Sequence, residues 1–169
     1  MSISVYEISI PVLSRGLSNL SAILDKAAAH AAAKKYDSIV LTQLRLYPDM
    51  HPLVRQVQIA CDTAKGAAGR LAGIEVPKHE DNEVTFAELK ARIAKTVDFV
   101  KSVNAAQLKD AESRAIEIKF PNGSWKFTGL AYLNDFVMPN FYFHVSMVYA
   151  LLRKSGVDVG KGDFLGDIQ

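Results

Sequence analysis

Apolar residues recur at steps of three and four along four separate stretches of this 169-residue chain, and each stretch is long enough for at least four helical turns. That period commits most of the sequence to amphipathic helices that must bury one face against each other, and the predicted fold is all-α, an antiparallel four-helix bundle. The first helix is expected over Ile3 to Ala33, where Val5, Ile8, Val12, Leu20, Ile23, Leu24 and Ala27 line one side. Pro11 falls inside that pattern and predicts a kink or break. Tyr47, Pro48, Asp49, Met50, His51 and Pro52 predict a structured crossover with room for one helical turn. A second helix is expected from Pro52, suited to a first turn, to Leu71, with Gly73 as its terminator.

After a loop from Ile74 to Val84, Thr85 and Glu88 have the spacing of a capping box. Leu89, Ile93, Val97 and Val100 carry the third helix to near Val103, and Asn104 can cap a further turn through Leu108. The alternation in Ala115 to Phe120, the Pro121-Asn122-Gly123-Ser124 turn and Trp125-Lys126-Phe127 predict a small β-hairpin insertion before the last helix. A lone hairpin is marginal in water, so its apolar face should lie on the bundle or on a partner. The fourth helix is expected over Gly129 to Lys154, with Pro139 in its interior, and Val157 to Gln169 as irregular chain wrapped over the bundle.

A single domain over 1–169 follows from the length and from the absence of any repeat or composition break. Cys61 is the one cysteine, so no intrachain disulfide can form and packing is its expected role. The first residues carry Glu7 and a proline but no basic segment ahead of an apolar run, and no apolar stretch reaches the length of a membrane span. A cytoplasmic protein without a membrane partner is the expectation. Twenty basic and eighteen acidic residues, interspersed without a basic block, give no footprint for nucleic acid. The alanines between Ala27 and Ala33 and the surplus of aromatics on the fourth helix suggest a homodimer.

Leu133, Val137, Asn140, His144, Val148 and Leu151 share one helical face, so two polar groups interrupt a stripe expected to be buried. An imidazole there can bind a metal, move a proton, or be held by an ordinary hydrogen bond within the core. His51 at the mouth of the second helix and Asp62 further along it are the candidates to join His144 and Asn140 around a divalent metal such as zinc, nickel or manganese. His30 and His79 are expected to be exposed. No His-Glu-x-x-His pair, cysteine pair, nucleophile elbow or phosphate loop is present, and Val159-Gly160-Lys161-Gly162-Asp163 reads as a solvated tail.

Asp49-Met50-His51-Pro52-Leu53, Gln56-Val57-Gln58-Ile59-Ala60, Arg70-Leu71-Ala72-Gly73, Pro139-Asn140-Phe141-Tyr142-Phe143-His144 and Gly160-Lys161-Gly162-Asp163-Phe164-Leu165-Gly166 together resemble the family known as domain of unknown function 1993, over nearly the whole chain. That family is similar to the DinB and YfiT-like superfamily of metal-dependent bundle proteins. The resemblance implies four helices with a divalent metal held by three histidines, one from the second helix and a His-x-x-x-His pair on a later one. This chain reads Asn140-x-x-x-His144 at the pair, and has Gln58 and Asp62 inside the second helix where a histidine is wanted. Two readings remain open. One is a soluble small-molecule-binding or interaction module with a degenerate metal site. The other is a divalent-metal-dependent hydrolase or thiol-dependent transferase with His144 as ligand or base.

Overall fold

In the computed structural model, which describes residues 3–167, four long helices carry the core: α1 (Ile10–Lys34), α3 (Leu53–Ala72), α4 (Phe86–Ser102) and α6 (Met138–Lys154). Short elements fill the connections: α2 (Ile39–Thr42), the hairpin β1 (Ala115–Phe120) and β2 (Gly123–Thr128), α5 (Gly129–Ala131) and α7 (Lys161–Leu165). Leu13, Leu17, Leu20, Ile23 and Leu24 of α1 meet Leu53, Val57 and Leu71 of α3, Leu89 and Ile93 of α4, and Phe141 and Val148 of α6 in one buried cluster. The expected bundle with a hairpin insertion is the observed architecture.

Helix directions follow from the contacts between helices. Gln56 meets His144 and Thr63 meets Asn140, so α3 and α6 are antiparallel. Asp25 pairs with Lys90, whereas Ser14 lies by Lys101, so α1 and α4 are antiparallel as well. Asp62 reaches Arg92 while Gly69 approaches Phe99, which makes α3 and α4 parallel neighbours. The segment between them therefore cannot be a tight turn and has to travel back along the bundle. Its anchors record that path: Lys65 Nζ donates to Pro77 O at 2.8 Å, Arg92 Nη1 to Glu80 O at 3.0 Å and Gln58 Nε2 to Glu83 Oε2 at 2.9 Å, with Arg55 paired to Asp81.

Two local expectations are corrected, at the start of the first helix and in the tail, and the fourth helix carries a detail that its period does not show. Helix α1 starts at Ile10 and not at Ile3, because Pro11 fits the first turn, where its missing donor has no partner to lose. The preceding residues wind as turns, with Ile8 N on Ser4 O and Ile10 N on Tyr6 O. In the last long helix, Tyr132–Val137 forms a π-helical turn just ahead of Pro139. The wider turn relieves the clash of the proline ring with the preceding carbonyls, so the chain stays helical through Pro139 as expected. The tail is not irregular throughout: α7 packs on α1, with Asn19 Nδ2 donating to Phe164 O at 3.1 Å and Lys26 paired with Asp163 at 2.7 Å.

Elsewhere the local chemistry is as read. Thr85 and Glu88 complete the capping box of α4, and Asn104 and Gln107 cap each other's backbone. The hairpin forms where expected, but its two turn residues are Pro121 and Asn122, with Gly123 and Ser124 already paired in β2. Gly129 begins the final helical run pressed on the Ala111 carbonyl oxygen, a position where any Cβ would collide with backbone.

Candidate functional site

The seam between α3 and α6 carries three of the four residues singled out in the sequence. His144 is only 7% exposed on α6, flanked by buried Phe141, Val145 and Val148. Its Nδ1 lies 2.6 Å from Gln56 Oε1, and Gln56 Nε2 donates to the His51 carbonyl at 3.1 Å. These two bonds fix the chemistry of the ring. An amide that donates from nitrogen to His51 must offer its oxygen to His144, so Nδ1 carries the proton and Nε2 keeps its lone pair. One turn away, Asn140 Nδ2 donates to Thr63 Oγ1 at 2.7 Å, and Phe143 stands edge-on to the imidazole.

Burial, with the added fields of His51 and Arg55, pushes the His144 imidazole down to about 4, so it is neutral at pH 7. His51 contributes its backbone carbonyl and its field, while its side chain is exposed at the start of α3. Asp62 is placed elsewhere. It lies on the α4 side of α3, 2.8 Å from Arg92 and 3.1 Å from Lys65. The structure thus brings His144, Asn140 and the His51 backbone to one seam and commits Asp62 to another.

The donor set at the seam fits a zinc-type cation poorly. It offers one imidazole with amide and hydroxyl groups, where such cations take several imidazoles, thiolates or carboxylates. Among the described residues, no group of three or more His, Cys, Asp or Glu side chains is arranged to hold an ion. Gln56 enters the sequence reading only within the family stretch and not as a site residue, although a glutamine that ends 2% exposed is a polar group in need of a partner.

A second polar centre was missed in the sequence. Arg92, with its side chain 1% exposed, bonds Asp62, Asp81 and Glu83 and the Glu80 carbonyl together. The available signal was its position three residues after Leu89 and four before Thr96, in the line of the buried face of α4. His79, expected to be exposed, is half-buried within the loop between α3 and α4, and burial together with Lys65 and Arg92 holds its imidazole below the ordinary range. His30 is also half-buried, edge-on to Tyr36. Burial pushes the Cys61 thiol up to about 12, which keeps it a packed, unreactive group.

Comparison with known proteins follows the same lines. A family model described as domain of unknown function (DUF1993) matches residues 5–165. A search of the curated proteins finds no match. The crystal structure of a DinB family member protein from Shewanella denitrificans is similar to this chain with a TM-score of 0.90 and 42% sequence identity, over 96% of this chain and 92% of that one. Among the described residues no helix is long and apolar enough to cross a membrane.

Proposed function

The chain belongs to the DUF1993 family, with the fold of a DinB family member, and on that footing we propose that it is a cytoplasmic, homodimeric binding module and not a metalloenzyme. The observation that carries the reading is the bridge made by Gln56, which holds His144 Nδ1 at 2.6 Å and the His51 carbonyl at 3.1 Å. Where the superfamily resemblance implies three imidazoles, this chain brings one buried imidazole to the seam, with amides and a hydroxyl around it. The ring then presents a neutral Nε2 lone pair, and Nε2 takes no hydrogen bond from the described residues. That lone pair suits a small polar ligand bearing an N–H or O–H donor, with Asn140 one turn away as a further amide contact.

A second reading rests on the same lone pair. Nε2 is also the atom a divalent cation would take, with His51 and Asn140 as further donors, in support of a hydrolase or thiol-dependent transferase. Asp62 would join only by leaving Arg92 and Lys65. Thermal unfolding with added zinc, nickel or manganese, against a chelator control, separates the two. A cation at a hundred times its dissociation constant adds about 2.7 kcal/mol of stability. The module reading expects no such rise, and a rise that His144→Ala abolishes would favour the enzyme.

A further inference from the structure

The outer edge of β1 is a strand edge with a self-complementary sequence, and we propose that it pairs antiparallel with β1 of a second copy, centred on Ile118, to form a four-stranded sheet across the homodimer. The inference rests on the homodimer reading above and assigns its surface. Phe120 and Gly123 flank a two-residue turn, so they form a hydrogen-bonded pair, and the alternation continues through Ile118 with Trp125 and Ile116 with Phe127. Backbone groups of Ala115, Glu117 and Lys119 therefore point away from β2. This edge makes no backbone hydrogen bond to another element among the described residues. An open edge of this kind is a template for another strand.

Only residues whose backbone points outward can form hydrogen-bonded pairs across the new junction, which leaves few registers. Pairing Glu117 with Glu117 of the second copy, or Lys119 with Lys119, sets like charges directly opposite. The register centred on Ile118 instead sets each Glu117 opposite Lys119 of the other copy, twice by symmetry. Within one chain Glu117 already stands opposite Lys126, and Ser124 donates to its Oε1 at 2.7 Å. The dimer extends that row so that charge alternates across the polar face of the sheet. On the opposite face the same register sets Phe120, 40% exposed, against Ile116 of the second copy, and Ile118 against its own mate. The charge pattern and the apolar pattern select one register.

Glu117 and Lys119 are exposed in the protomer, and exchanging their charges disturbs only the exposed Glu117–Lys126 pair and the Ser124 hydrogen bond on the hairpin, so the fold of each chain stays intact. Sedimentation of the full chain at micromolar concentration should give a dimer. Glu117→Lys and Lys119→Glu, each setting like charges opposite at two symmetric positions, should weaken it about tenfold or more. The double variant, which restores opposite charges in exchanged order, should recover the wild-type dissociation constant to within about threefold. A dimer indifferent to the single variants, or a double variant that fails to recover, overturns this interface while leaving a homodimer through another surface. A wild-type monomer at these concentrations overturns both the interface and the homodimer.

Discussion

Arg92→Met should cost about 3 kcal/mol of unfolding free energy, read from urea denaturation, the larger of the two stability effects that the structure implies. The guanidinium lies 2.8 Å from Asp62, 3.0 Å from Asp81 and 3.0 Å from Glu83, and it also donates to the Glu80 carbonyl. Removing it leaves three carboxylates facing one another, with Lys65 to offset Asp62, Arg55 to offset Asp81 and no cation left for the most buried of them, Glu83. The methionine fills the space but answers none of that charge. Arg92→Lys should recover less than half of the loss, because one ammonium cannot span partners on both α3 and the loop. The loss should be concentrated in the loop from Gly73 to Thr85, so limited proteolysis should cut there first in the variant. A loss under about 1 kcal/mol would mean that the loop is held by its backbone anchors and that the ion pairs are incidental.

His144 sets the second large effect, a loss of stability in acid. Its folded value of about 4 lies below the ordinary 6.5, so between these two the unfolded chain binds the proton and the folded chain does not. The neutral ring's contribution is complete above pH 6.5 and is lost as the pH falls toward 4. At pH 5 the difference amounts to about 2 kcal/mol relative to pH 8, or a fall in Tm of about 4–8 °C for a domain of this size. His79 is shifted in the same direction, so the comparison that isolates His144 is with His144→Gln, whose amide can still donate to Gln56 but does not titrate. The variant should lose about 2 kcal/mol less than wild type between pH 8 and pH 5. Parallel pH profiles would show that the imidazole is not held neutral by its burial.

What could be read from the sequence divides by the range of the interaction. The α3 and α4 segments, the capping box of Thr85 and Glu88, and the hairpin after Ala115 depend on neighbours a few residues away, and each lies where the residues place it, the turn alone falling one residue earlier, on Pro121 and Asn122. Proline was harder. Pro11 reads as an interruption yet sits in the first turn of α1, and Pro139, read as interior to the fourth helix, follows a π-helical turn, outcomes decided by backbone bonds that residue identity does not display. His144 was legible as a buried polar group because its stripe is apolar on either side. Its partner was not, since Gln56 lies 88 positions away and nothing local distinguishes it from Gln58, which turns to the loop instead. Asp62 was drawn into the wrong company for the same reason. A helix period gives the face of α3, but the choice between α6 and α4 as neighbour depends on the path of the loop, which only Arg92, Lys65 and their acceptors reveal.

The central claim is that the seam around His144, with one imidazole among amides, holds no tightly bound metal, and elemental analysis of untagged protein purified without chelator tests it most directly. The account predicts zinc, nickel and manganese each at well below one ion per chain, with His144→Ala leaving the metal content unchanged. Close to one ion per chain, lost on mutating His144, would contradict it and make the seam between α3 and α6 a metal centre.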